Sequence, residues 1–263
     1  TERASASIKT LPHEDFPVLP RVSAERSFVS KSADISRVIR SVAYCASLSA
    51  TKPELQSVLV FGEAGKLVAA ATDSFRLAEK AVVLRGGRST PHLLVPARNA
   101  AELMRILDSS GGDAEIYFNE NQLSTHVGTT YYTSRIIDAA FPNYRQIVPK
   151  TFASEALVLR EDFAAALKSL SVFADKSSHV SLSLDPAKKM LTLTSKNPDV
   201  GEQVCTLKAT ITGEAFSMSF NGRYLADSLQ SIPGESLKLH ANGPGKARLI
   251  KDASDDSFLY LAM

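Results

Sequence analysis

The stretch Ser32-Ala33-Asp34-Ile35-Ser36-Arg37-Val38-Ile39-Arg40-Ser41-Val42 decides the fold, through its own period and through how often its setting recurs. Ile35, Val38, Ile39 and Val42 stand at i, i+3, i+4 and i+7, an apolar stripe of helical spacing that predicts a helix over 32–46. A strand begins just before it, near Ser27. Alternating apolar segments at 56–61, 66–71 and 79–84 follow. They read as strands, the first two joined by a turn at Gly62-Glu63-Ala64-Gly65.

This order returns three times. A short strand at 93–96 leads to a helix over 99–107, with Ala100, Leu103, Met104 and Leu107 on one face. Strands at 114–118, 122–126 and 130–138 follow, with Asn119-Glu120-Asn121 as a hairpin turn. The third round reads strand 156–159, helix 161–174, and strands 180–184, 190–195 and 202–212. The fourth reads strand 215–220, helix 222–231, and strands 236–241, 247–251 and 258–262. Repeated β-α-β-β-β units of about sixty residues pair two per domain. The joint falls at Pro149-Lys150-Thr151, polar and proline-marked. The expected fold class is α+β, with two helices packed on antiparallel sheets in each domain.

A chain of 263 residues can bury two such cores. No apolar run approaches the roughly 20 residues of a membrane span, and no signal-peptide pattern opens the chain. Cys45 and Cys205 are far apart in sequence and read as free thiols of a reducing compartment. The five histidines share no metal-binding spacing. Gly243-Pro244-Gly245-Lys246 lacks the phosphate-loop spacing and reads as a hairpin turn. There is no G-x-S-x-G elbow and no paired catalytic carboxylates. Neither an enzyme nor a cofactor or metal site is expected.

Net charge is only +2, so a nucleic-acid role has to rest on where the charges sit. Arg37, Arg40, Ser41 and Tyr44 oppose the apolar stripe of the first helix, and Arg98, Glu102 and Arg105 share the exposed face of the second. Arg160, Lys168 and Lys176 recur along the third unit, and Arg223 in the fourth helix. One such helix reads as a solvated face. Recurrence in every unit points to a shared anionic partner, held through sequence-independent phosphate contacts. No base-reading motif or aromatic stacking platform is present.

Five ordered segments are more specific. They are Ala71-Thr72-Asp73-Ser74-Phe75-Arg76-Leu77-Ala78, Val95-Pro96-Ala97-Arg98-Asn99-Ala100-Ala101-Glu102-Leu103-Met104, Phe141-Pro142-Asn143-Tyr144-Arg145-Gln146-Ile147-Val148-Pro149, Phe220-Asn221-Gly222-Arg223-Tyr224-Leu225 and Tyr260-Leu261-Ala262-Met263. Together they resemble the bacterial sliding clamps, the beta subunits of DNA polymerase III. The resemblance spans essentially the whole chain. It implies the DNA clamp fold, with helices on the inner face of a ring, sheets outside, and a head-to-tail dimer of three-domain subunits. Leu11-Pro12-His13-Glu14-Asp15-Phe16-Pro17 is similar to the segment leaving the family's first domain. Residues 1–21 are then the end of that domain plus a linker, 22–149 the middle domain and 150–263 the C-terminal domain. Such a fragment is expected to be monomeric, the full-length protein a ring-shaped homodimer.

The resemblance also implies a partner-peptide cleft between the middle and C-terminal domains. Its apolar wall would be Leu55, Thr72, Leu77, Pro142, Ile147 and Leu261. Arg76, Asn221 and Tyr224 would form the polar rim, with Ala262 and Met263 at the outer lip. Ser74-Phe75 stands where Gly-His is frequent in the family, Gln146 where Arg is, and Ser177 where an aromatic can occur. These changes bear on peptide preference. Arg98 carries the family's DNA-facing role best. Lys52 is the one DNA-facing candidate of its loop, beside Arg37, Arg40, Arg105, Lys168 and Arg223 from the helices. Implied partners are duplex DNA, the polymerase III alpha subunit, the clamp-loader delta subunit and other proteins with a Gln-Leu-x-Leu-Phe-type motif, in the bacterial cytoplasm at the nucleoid. The implied function is a non-catalytic processivity factor in DNA replication. The alternatives are a peptide-binding adaptor that never encircles DNA, and an enzyme acting through Asp73 or Arg76.

Overall fold

The protein is described from a computed structural model that covers residues 4–16, 18, 21–23, 25–109, 111–242 and 247–263. Pro17 and the turn expected at 243–246 lie outside the described residues.

The units appear in the expected order. The first holds β1 (Ser27–Lys31), α1 (Ser32–Arg40), β2 (Ser57–Glu63), β3 (Lys66–Thr72) and β4 (Arg76–Val83). A two-residue strand β5 (Gly86–Gly87), not read from the sequence, leads to the second unit: β6 (His92–Pro96), α2 (Ala97–Asp108), β7 (Asp113–Phe118), β8 (Gln122–Val127) and β9 (Thr130–Arg135). The third is β10 (Ser154–Leu159), α3 (Arg160–Leu170), β11 (His179–Asp185), β12 (Met190–Asn197) and β13 (Gly201–Lys208), followed by β14 (Thr210–Gly213). The fourth is β15 (Phe216–Asn221), α4 (Gly222–Ser228), β16 (Ser236–Ala241), β17 (Arg248–Asp252) and β18 (Phe258–Ala262). No helix among the described residues is long and apolar enough to cross a membrane.

Three expectations of extent need correction. The helix read over 32–46 ends at Arg40, because Val42 and Cys45 must turn into the core, where both are fully buried, and the chain tightens into a 3-10 turn at Ala43–Cys45. Ser41 is therefore buried and Tyr44 faces the interior, so neither extends the basic face of α1. The strand read over 202–212 divides at buried Ala209 into β13 and β14, which belong to different sheets. The strand read over 130–138 stops at Arg135, after which Ile137 donates its N–H to Leu94 O.

Each unit lends its first strand to its neighbour. β1 pairs with β7 while β6 pairs with β2, and β10 pairs with β16 while β15 pairs with β11. This reciprocal exchange welds two units into one body, with α1 and α2, or α3 and α4, packed together against both of its sheets. The turn between β2 and β3 places Ala64 at φ 48° and Gly65 at φ 72°, the two left-handed residues of a type I′ hairpin. Gly222 opens α4 where a Cβ would stand 2.8 Å from Val180 Cγ2, so the helix start can approach β11 only with glycine there.

The two halves share a sheet. β4 pairs antiparallel with β18, Leu77 opposite Leu261 and Ala78 opposite Tyr260. That pairing joins a nine-stranded sheet running β14-β10-β16-β17-β18-β4-β3-β2-β6. The pleat sends alternate residues to opposite faces. Ala78 and Tyr260 join the main core, whereas Leu77 and Leu261 join a second cluster with Leu59, Leu94, Tyr144 and Leu249. The segment after β9 covers that second face through Phe141, Tyr144, Val148 and Phe152. Arg145 fastens it by a two-pronged ion pair to Glu63, 2.7 and 2.6 Å, and Tyr144 donates its hydroxyl to Glu79.

Lys80 of β4, 5% exposed, reaches Asp255 at 2.7 Å and Ser257 at 2.7 Å across the seam. Burial alone would raise the Asp255 carboxyl, but donors from Lys80 and Ser257 outweigh it and hold the pKa at about 2 against an ordinary 3.8. A carboxylate whose folded pKa is depressed stabilises above its unfolded value and loses that contribution as pH falls through the folded one. Lys80→Met is expected to cost on the order of 2 kcal/mol, below the value for a fully buried pair because Asp255 keeps contact with water. Urea denaturation at neutral pH measures this. Between about pH 4 and pH 2 the wild type is expected to lose more stability than the variant.

Candidate functional site

The loop from β3 to β4 organises the junction. Thr72 donates its hydroxyl to Arg76 O at 2.7 Å and accepts from Ser74 N at 3.1 Å. Asp73 Oδ1 accepts from Phe75 N and Arg76 N, both at 2.9 Å. Ser74 is thereby held at φ 76°, and Phe75 is pushed outward, 64% exposed. The Thr72 hydroxyl is satisfied within this turn, and the residue is 5% exposed.

Arg76 departs from the expected rim. Its side chain is 12% exposed, with Nε 3.0 Å from Asp73 Oδ2 and Nη1 2.6 Å from Asp227 Oδ2 of α4. Its guanidinium lies 4.3 Å from the Tyr224 ring centre and 5.8 Å from that of Tyr44. Burial pulls its pKa down, yet the hydrogen bond to Asp227 and neighbouring charges leave it above the ordinary value. Around it, Tyr44 stacks on Tyr260 at 6.3 Å, and the Tyr260 hydroxyl donates to Tyr224 O at 2.8 Å. Burial pushes the Tyr44, Cys45 and Tyr260 pKa values up, so all three stay neutral at physiological pH. Arg76 is an interior tie between the halves.

Beside this tie opens a cleft of about 410 Å³ lined from both halves. Phe75 contributes from the first; Ser177, Asn221, Tyr224, Ala262 and Met263 contribute from the second. Six of the expected cleft residues thus meet. Asn221 accepts at its side chain from Arg223 N and Tyr224 N, capping α4, which fixes Tyr224 at the cleft edge. Met263 N donates to Phe75 O at 3.0 Å, so the two exposed apolar side chains at the mouth are tied through their backbones. His179, Ser219 and Phe220 also line the cleft. Sequence reasoning missed them, although the alternation of β15 leading into Asn221 placed Ser219 within reach.

The other expected residues do not line this cavity. Leu77 and Leu261 are fully buried beneath the strap of residues 136–152. Leu55 is buried in the loop before β2, where its C=O accepts from Ser47 N at 2.8 Å. Pro142, Gln146 and Ile147 are exposed on the strap, Ile147 at 44%.

The candidate DNA-facing cations fall into two groups. Arg37 pairs with Asp34, Arg40 with Asp108 and Arg105 with Glu102. Among the described residues, Lys52, Arg98, Lys168 and Arg223 are exposed and form no ion pair. Lys168 of α3 and Arg223 of α4 both line a groove of about 590 Å³.

Comparison with known proteins gives the following. Residues 30–143 match the central domain of the DNA polymerase III beta subunit and residues 145–263 its C-terminal domain. The beta sliding clamp of Caulobacter vibrioides (strain NA1000 / CB15N) is 28% identical over 267 residues, covering 99% of this chain and 71% of that protein. That of Staphylococcus epidermidis (strain RP62A) is 25% identical over 258 residues, covering 98% and 68%. The solved DNA polymerase sliding clamp of Bacillus subtilis superposes with a TM-score of 0.91 at 26% identity, covering 96% of this chain and 67% of that one. A Pseudomonas aeruginosa DnaN sliding clamp bound to griselimycin gives 0.90 at 22% identity, covering 96% and 69%.

The two kinds of arginine are separable by measurement. Arg76→Met leaves Asp73 without its cation, while Asp227, 45% exposed, keeps contact with water, and is expected to lose roughly 2–4 kcal/mol of stability. Arg98→Ala, on a solvated helix face, is expected to change it by less than about 0.5 kcal/mol. Chemical denaturation of both variants makes the comparison.

Proposed function

This chain belongs to the DNA polymerase III beta subunit family, the beta sliding clamps, and on that premise we propose that it forms part of a ring around duplex DNA. In this reading it is a non-catalytic processivity factor that holds the polymerase III alpha subunit, the clamp-loader delta subunit and other clients at the primer end. Clients dock through a Gln-Leu-x-Leu-Phe-type peptide in the cleft at the junction, in the cytoplasm of a bacterium. The observation that carries the reading is the cleft itself: apolar Phe75 and Met263 at its mouth, and Tyr224 and Asn221 fixed at its edge by the cap of α4. Such a slot suits an apolar anchor with a few polar groups to set direction.

Ring assembly is supported by the way edges are used. β4 and β18, the last strands of the first and fourth units, are joined to each other. Their counterparts β9 and β13, the last strands of the second and third, are edges of their sheets among the described residues. Repeating the β4–β18 seam at both edges would extend the chain of domains head to tail, and a closing rotation makes a ring. The helices of every unit then share one side. There Lys52, Arg98, Lys168 and Arg223 are free to meet phosphate, with charge too sparse for tight binding. Enclosure keeps the DNA local while weak contacts permit sliding, and tethering raises the client's effective concentration.

Titration of this chain with a labelled Gln-Leu-x-Leu-Phe peptide tests the cleft. Met263→Ala or Phe75→Ala is expected to weaken binding by roughly 1–3 kcal/mol without unfolding the protein. Equal affinities for wild type and both variants would refute this placement.

The full-length protein carries the DNA test, by retention on nicked circular DNA. Charge reversal at Lys52, Arg98, Lys168 and Arg223 is expected to reduce loading and to lower the salt slope by about one for each phosphate no longer neutralised. Unchanged loading, with peptide binding intact, would favour an adaptor that never encircles DNA.

A further inference from the structure

The groove lined by α3 and α4 shares no lining residue with the junction cleft, so it is a separate cavity. Its floor is aliphatic: Leu167, Val180 and Leu229 are buried against it. Ala164 of α3 and Ala226 of α4 line it with short side chains, which leaves about 590 Å³ of space. That is the size of a small-molecule site.

The polar groups of the groove are few and have no partners. Lys168 and Arg223 are exposed and form no ion pair among the described residues. No acidic side chain is among the described residues that line the groove with them, so nothing inside it answers their charge.

Ser178 supplies a third group, of a different kind. Its backbone is committed, N donating to Asp175 O at 3.0 Å and O accepting from Gly222 N at 2.7 Å. The second bond sets Ser178 beside the start of α4, where Arg223 is the next residue. Ser178 is only 5% exposed and lines the groove, yet its hydroxyl has no hydrogen-bond partner among the described residues. A hydroxyl as buried as this one ordinarily has a partner. An occupant that accepts a hydrogen bond would satisfy it.

The lining also sets the shape of such an occupant. No aromatic side chain lines the groove among the described residues, so a flat ring or a nucleobase finds nothing to stack on. A methylene chain gains from every group it buries against Leu167, Val180 and Leu229. An anionic head accepts from the Ser178 hydroxyl and pairs with lysine and arginine.

We propose that the groove between α3 and α4 is a binding site for an aliphatic carboxylate, its chain on the aliphatic floor and its head held by Arg223, Lys168 and Ser178. The site goes beyond the clamp reading and does not depend on it, because neither the cleft nor the closure of a ring contributes a residue to it.

The test is isothermal titration calorimetry on the whole chain with decanoate, below its micelle concentration. Decanoate is expected to bind saturably, one molecule per chain. Decyltrimethylammonium, with the same tail and the opposite charge, is expected to bind at least tenfold more weakly. Hexanoate, with the same head and a shorter tail, is also expected to bind at least tenfold more weakly. These three titrations use the wild type and need no variant to fold. Lys168→Gln combined with Arg223→Gln is expected to weaken decanoate on the order of tenfold, and Ser178→Ala about fivefold. Ala226→Leu fills the groove from an exposed helix position and is expected to abolish binding. Absence of saturable decanoate binding to wild type overturns the proposal, as does equal binding of decyltrimethylammonium. Decanoate affinity unchanged in Ala226→Leu places the ligand elsewhere and overturns it too.

Discussion

The pairing of β4 with β18 is the constraint on which the rest depends. A sheet edge is a row of unmet donors and acceptors, and here two edges from different halves satisfy each other along Arg76–Lys80 and Phe258–Ala262. Because the strands are pleated, one pairing delivers apolar side chains to both faces at once. Ala78 and Tyr260 close the main core, while Leu77 and Leu261 seed the second cluster. The strap of residues 136–152 covers that second face, and its ties through Arg145 and Tyr144 are anchored to the same sheet.

The cleft follows from the same seam. Where β4 begins and β18 ends, the pairing runs out and the two halves diverge. The turn at Thr72–Arg76 holds Phe75 outward on one side, and α4 begins on the other. Arg76 keeps the gap from widening. It belongs to the first half, is held by Asp227 of the second, and lies between tyrosine rings from both. Replacing all three charged groups together by apolar ones would change the net energy little, although removing the cation alone is costly. Its effect is to specify geometry, since only one arrangement of the halves satisfies all three charges.

Much of this was legible in the sequence. The fourfold β-α-β-β-β order follows from hydrophobic period, which switches between 3.6 and 2 at each boundary, and those boundaries survive to within a few residues at most elements. The segments Ala71–Ala78 and Phe141–Pro149 carried the family resemblance, but the turn and the strap that they form were not read from them. What could not be read were the tertiary commitments. Nothing local distinguishes Arg76, buried and doubly paired, from Arg98, solvated and free of ion pairs. Nor does the sequence say that the Thr72 hydroxyl is satisfied by Ser74 and Arg76 within its own turn. Tyr44 sat on the helical period that implied exposure, but burial of Val42 and Cys45 ended α1 four residues earlier.

Charge pairing divides the basic residues more finely than their positions do. Arg37, Arg40 and Arg105 are answered by acids on the same or adjacent helix, so their net field at a distance is small. Among the described residues, Lys52, Arg98, Lys168 and Arg223 have no such answer, although the whole chain carries only +2. Exposed charges of this kind act over roughly a Debye length, about 8–10 Å at physiological salt. They can guide a polyanion without gripping it, because no contact is desolvated and each is readily exchanged. A protein that had to hold DNA by affinity would need many more such cations, close together and facing a groove. A solvated cation such as Arg98 and the buried, doubly paired Arg76 are opposite electrostatic solutions, the one exchanging freely with solvent and the other fixed in place.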